Sequence, residues 1–142
     1  MFYIGRGIDS AVAYEGSLKL KEISYINSFA IAAGELKHGT IALMEQGTLV
    51  IALATQDRLF EKMLSNIKEV KARGAYVLAI AKEGNTAIEK EADEVIYIPE
   101  CIDEITPLLS IVPLQLFAYY VAKNRGCDID KPKNLAKSVT VE

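Results

Sequence analysis

Thr48-Leu49-Val50-Ile51-Ala52-Leu53, closed by the polar turn Thr55-Gln56-Asp57, is the stretch that decides the fold. A continuous apolar, β-branched run bounded by turn residues offers no wet side. It reads as a strand buried on both faces, which is the pattern of a parallel sheet. Ala75-Tyr76-Val77-Leu78-Ala79-Ile80, opened by Gly74, repeats the pattern, as does Val95-Ile96-Tyr97-Ile98, ended by Pro99. Phe2-Tyr3-Ile4 is a shorter version that runs into Gly5-Arg6-Gly7. Strands are therefore expected near residues 2–5, 48–54, 75–81 and 94–98.

Helical periodicity fills the gaps. Ser10 to about Tyr25 reads as a helix with Asp9 or Ser10 as N-cap, and Ala13, Gly16, Leu20 and Ile23 as its inward stripe. Ala32 to Met44 reads as a second, shorter helix, and Arg58 to Arg73 as a third with the stripe Leu59, Met63, Ile67 and Val70. Pro107 to about Asn124 is a long apolar helix, with Pro113 expected to kink it. Residues 127–142 show no periodicity and read as a tail over the surface of a single domain spanning 1–142. Strand and helix in alternation imply βαβ crossovers and a three-layer α/β/α sandwich. Ligands in such folds sit at the carboxyl ends of the strands.

Composition narrows the function. The 142 residues carry a net charge of −3 and a pI near 5.3, which gives no electrostatic case for nucleic acid or an anionic membrane. One histidine and two distant cysteines, Cys101 and Cys127, leave no zinc spacing, so no metal is expected; the thiols read as free in a reducing cytosol. The beginning, MFYIGRG, has no basic leader and enters directly on a strand, as expected of a very compact protein or a piece of a longer one. Gly5-Arg6-Gly7 lacks the third glycine of a dinucleotide fingerprint, since Ser10 stands there, and no P-loop or GxSxG elbow exists.

Three places can carry chemistry. Glu15, Lys19 and Glu22 fall within a sector of roughly 60° on the first helix. Two carboxylates flanking an ammonium can relay protons, and the same residues also suit a solvated, helix-stabilising face. His38, beside Gly39, is the one side chain whose ordinary pKa lies near neutrality; it can equally cap a helix end. Lys137 supplies an amine able to form a Schiff base with a ketone if desolvated, or it is a solvated tail lysine.

Four segments, KLKEISY (19–25), AAGELKHG (32–39), VPLQL (112–116) and NLAKSVTVE (134–142), together resemble the glutamine–fructose-6-phosphate aminotransferases. The resemblance runs in order along essentially the whole chain and is to their second sugar-isomerase (SIS) domain. It implies a flavodoxin-like fold, a cytosolic location, a homodimer, no cofactor, and missing glutaminase and first SIS domains. It implies fructose 6-phosphate as substrate and glucosamine 6-phosphate as product. Lys137 would hold the open-chain sugar as a Schiff base, Glu22 would move a proton between C1 and C2, and His38 would open the ring in a neighbouring subunit's site. Glu15, Lys19 and Ala136 would line the site. SIS domains that grip the sugar phosphate use a serine-rich SxSGxT-like loop; here the matching place reads Ala54-Thr55-Gln56-Asp57-Arg58-Leu59. The chain alone is therefore expected to hold catalytic groups but little affinity. A related SIS deaminase or deglycase and a non-catalytic sugar-phosphate-binding module are the competing readings.

Overall fold

The computed structural model describes residues 1–133. Its strands are β1 (Phe2–Gly5), β2 (Phe29–Ala32), β3 (Leu49–Ala54), β4 (Tyr76–Lys82) and β5 (Glu94–Ile98). All neighbours pair in parallel, in the order β2-β1-β3-β4-β5. The helices are α1 (Ile8–Ser24), α2 (Phe60–Lys71) and α3 (Thr106–Asn124).

Alternation along the strands builds two cores. Ile4, Val50, Ala52 and Val77 face α2, whose Phe60, Met63, Ile67 and Val70 cover them. Tyr3, Ile51, Leu53 and Ile80 face the other way, under Val12, Ala13 and Leu20 of α1 and Leu114 and Ala118 of α3. Gly16 lets α1 lie close to both neighbours: a Cβ there would stand 2.6 Å from Leu114 Cδ1 and 3.1 Å from Tyr3 Cε1. This is the expected three-layer sandwich.

Several local expectations need correction. β2 was not among the expected strands. It is a four-residue edge strand, and the segment after it forms 3₁₀ turns, Ala33–His38 and Thr40–Leu43, instead of the expected helix over Ala32 to Met44. Gly34 and Gly39 interrupt any helix there, and Gly39 takes φ 139°. Helix α1 begins earlier than expected, on an N-cap of Gly7 at φ 58°. Asp9 is thus inside the first turn and Ser10 only returns a hydrogen bond to the Gly7 carbonyl. Leu59 belongs to a 3₁₀ turn before α2 and is only partly buried; Phe60 takes its place in the stripe. Helix α3 runs unbroken through Pro113.

Candidate functional site

The strand order reverses between β1 and β3, so the carboxyl ends of these strands flank the crevice where doubly wound folds bind ligands. Here that crevice is filled by the chain itself. Asp9 accepts hydrogen bonds from Thr55 N–H at 2.8 Å and from Thr55 Oγ1 at 2.5 Å. Gln56 Nε2 donates to Thr106 Oγ1 at 2.8 Å and to the Asp103 carbonyl at 3.2 Å. Lys82, its side chain 3% exposed, ends β4 with its ammonium 2.6 Å from Asp57 and 3.1 Å from Asp103. Burial pulls the Lys82 pKa down, but these two carboxylates outweigh it and raise it above the ordinary value. Burial pushes the Asp9 carboxyl up, against the pull of the Thr55 hydrogen bonds. A cleft of about 270 Å³ opens beside this cluster, lined by Ile8, Gln56, Arg58, Asp103 and Glu104. The loop after β3 therefore has its polar groups committed inward, and it adds the carboxylate of Asp57 where a phosphate would need donors.

The expected trio lies elsewhere, on the outer face of α1. Lys19 Nζ is 2.7 Å from Glu22 Oε2 and 3.5 Å from Glu15 Oε1. The Glu22 side chain is 26% exposed, so this is a half-buried clasp and not a freely solvated row. The Glu22 hydrogen bond raises the Lys19 pKa, with burial opposing and the charges of Glu22 and Glu15 adding to it. Lys19 is accordingly a fixed ammonium. It can hold a carboxylate or a sugar oxygen, and it is ill suited to attack a carbonyl.

His38 is not brought to this trio. Helix α1 carries the chain from the carboxyl end of β1 to the amino end of β2, which leaves Glu22 in its last turn near the amino ends of the strands. His38 follows β2 and lies beyond its carboxyl end. Its side chain is 75% exposed, and its Nε2 is 3.9 Å from Glu35 Oε2. Lys137 and Ala136 fall outside the described residues. The chain leading to them is anchored at the end of α1. Cys127 Sγ is 3.9 Å from the Ser24 carbonyl, and Lys133 N–H donates to Tyr25 Oη at 2.6 Å. Tyr25 itself caps α1 in the left-handed region, at φ 60°. Both cysteines are free. Among the described residues no group of His, Cys, Asp or Glu could hold a metal ion, and no helix is long and apolar enough to cross a membrane.

Residues 1–125 match the family described as SIS domain. This chain belongs to the SIS domain family. The SIS domain is 72% identical over 142 residues to the glutamine–fructose-6-phosphate aminotransferase [isomerizing] of Caldanaerobacter subterraneus subsp. tengcongensis, covering 100% of this chain and 23% of that protein. It is 65% identical over 142 residues to the enzyme of the same name from Clostridium acetobutylicum, again with 100% and 23% coverage. Among solved structures it superposes on the C-terminal domain of glucosamine-fructose-6-phosphate aminotransferase from Francisella tularensis, with TM-score 0.84 and 37% identity, covering 92% of this chain and 37% of that one. It also superposes on a glucosamine-6-phosphate deaminase from Thermotoga maritima, with TM-score 0.78 and 31% identity, covering 99% of this chain and 40% of that one. The SIS domain thus spans 23% of the length of these curated relatives.

The strand-end cluster was missed in the sequence. Lys82, a lone charge ending an apolar strand, was the one visible signal. Such a lysine is buried only when paired.

Proposed function

We propose that this SIS domain is the second sugar-isomerase domain of a glutamine–fructose-6-phosphate aminotransferase, which makes glucosamine 6-phosphate from fructose 6-phosphate in the cytosol. The observation that carries the reading is the Glu15–Lys19–Glu22 clasp on the outer face of α1, next to the point where the C-terminal segment is tied to Tyr25. The 72% identity to an aminotransferase, against 31% to a deaminase, supports this reading over the related deaminase.

The chemistry divides between the lysines. Lys19 stays protonated beside two carboxylates, so a Schiff base with the sugar ketone needs another amine, and Lys137 is that amine. Its nitrogen adds to C2 and water leaves; ammonia, delivered from glutamine by the glutaminase domain, then displaces the lysine to give the free imine. Glu22 takes a proton from C1, activated by the adjacent imine, and C2 is reprotonated to yield the amino aldose. Lys19 fixes the position of Glu22 through their 2.7 Å contact, and Glu15 stands on its other side. Ala136 lets the backbone beside Lys137 approach the sugar. His38, extended from the far end of the sheet, reaches the site of a neighbouring subunit in a homodimer and acts as acid and base in ring opening. The sugar phosphate is gripped by the first SIS domain.

The test uses the intact aminotransferase. Borohydride added with fructose 6-phosphate should trap a sugar adduct on Lys137, located by peptide mass spectrometry. Lys137→Arg keeps the charge but cannot form the imine, so amination should collapse with the fold intact. Near-normal turnover by that variant refutes the Schiff-base role.

A further inference from the structure

We infer that Arg6, Asn66 and Glu69 are positioning residues for His38, holding the Ala33–His38 turn against α2 so that the imidazole is presented at a fixed place. This rests on the assignment of ring opening to His38 made above.

The turn has little reason to hold one shape by itself. It is a 3₁₀ segment containing Gly34 and followed by Gly39. His38 is exposed, and 3.9 Å to Glu35 is too long for a hydrogen bond that would orient the ring. Its position must be set through its backbone. Leu36, fully buried, plugs the turn into the core at one point. A polar chain fixes it at two more. Arg6 leaves the carboxyl end of β1, and its guanidinium packs over Gly34, 3.4–3.6 Å from where a Cβ there would stand, which is van der Waals contact. Arg6 Nε donates to Asn66 Oδ1 at 2.8 Å. Asn66, buried on α2, donates through Nδ2 to Glu69 Oε2 at 3.2 Å. The other Glu69 oxygen is 2.8 Å from Lys37 Nζ, and Lys37 is the residue before His38. One continuous run of contacts thus ties β1 through α2 to both halves of the turn. Burial would raise the Glu69 pKa, but the hydrogen bonds from Lys37 and Asn66 prevail and lower it, so the last link stays ionised at neutral pH.

A role confined to stability is a poor account of this network. Lys37 is mostly exposed, and exposed ion pairs contribute little to folding. Placement is what such contacts can supply, and small displacements of a catalytic group are costly in rate.

The experiment compares two substrates in the intact aminotransferase. One is fructose 6-phosphate, which must be opened. The other is its 5-deoxy analogue, which lacks the ring-closing hydroxyl and stays open-chain. His38→Ala serves as the control for ring-opening selectivity. Asn66→Leu removes both of its hydrogen bonds at similar volume. It should slow turnover of fructose 6-phosphate on the order of 10-fold, with the open-chain analogue nearly unaffected. Arg6→Lys, which cannot lie against Gly34 and still reach Asn66, and Glu69→Gln, which weakens the hold on Lys37, should show the same selectivity. Should Asn66→Leu fail to fold, these two part-exposed positions carry the test. Equal losses on both substrates, or none on either, overturn the inference. A selective His38→Ala with unselective network variants overturns this inference alone. An unselective His38→Ala removes the assignment of ring opening and the inference with it.

Discussion

Replacing Asp9 by Leu would remove the side chain that ties the first turn of α1 to Thr55, just past the end of β3, at the switch point. Both Thr55 groups bonded to it are buried, Thr55 being 0% exposed, so no water can take over. Hydrogen bonds to a charged group contribute about 1.5–3 kcal/mol each, and a buried N–H left without a partner costs about 1–3 kcal/mol. Against this stands the relief from keeping a carboxylate out of water, which the raised Asp9 pKa reports. The net loss is about 2–4 kcal/mol. For a chain of this size that lowers Tm by on the order of 10 °C. Urea unfolding of the chain followed by circular dichroism measures the loss directly. Asp9→Asn, whose amide can donate to Thr55 Oγ1 and accept from the Thr55 N–H, should recover most of it. The pH dependence gives a second readout. A carboxyl whose folded pKa lies above its unfolded one binds its proton more tightly when folded. Its contribution is therefore full below the unfolded value, about 4, and declines as pH rises to the folded value. Asp9→Asn lacks that decline. A loss below about 0.5 kcal/mol in Asp9→Leu, or identical pH slopes in wild type and Asp9→Asn, would refute this account of the Asp9–Thr55 contact.

Gly16→Ala should destabilise by about 1–3 kcal/mol despite the better helix former, because its methyl would press on Leu114 and Tyr3 in a packed core; thermal melts read this. Tyr25→Phe removes the acceptor for the Lys133 N–H at an exposed site, so stability should change by less than about 1 kcal/mol. Tryptic cleavage after Lys133 should quicken in that variant, and borohydride trapping at Lys137 should weaken in the intact enzyme.

The sheet was legible wherever a strand is covered on both sides. β1, β3 and most of β4 are continuously apolar because each has helices on both faces. β2 escaped notice because its short apolar run, Phe29 to Ala32, has only one β-branched residue and leads straight into Ala33, and alanines suit a helix as well as an edge strand. The charged face of α1 was visible because its members are three and four residues apart, where helix geometry alone brings them together. Asp9 and Thr55 are 46 residues apart, and Arg6 and Asn66 are 60 apart; only the folded sheet makes neighbours of them. Asp9 also satisfied a local pattern, the N-cap, and that local fit hid its long-range partner.

That hidden cluster bears on where a sugar phosphate can bind. In a doubly wound fold the strand ends at the switch point are the first place to look. In this chain the donors there are used up: Thr55 by Asp9, Gln56 by Thr106 and Asp103, and Lys82 by Asp57 and Asp103. A phosphate arriving would meet Asp57, Asp103 and Glu104 with Arg58 as the one opposing surface cation of the cleft. Displacing the carboxylates from Lys82 would strand a buried ammonium and two acids at once. The chain on its own should therefore bind inorganic phosphate or fructose 6-phosphate more weakly than about 1 mM, a free energy smaller than about 4 kcal/mol. Titration followed by amide NMR is the measurement. Thr55, Gln56 and Lys82 resonances should stay still at several millimolar ligand. Saturable shifts at those residues below that range would mean that the strand-end cluster opens to a ligand, and that the outer face of α1 is not where this domain meets its substrate.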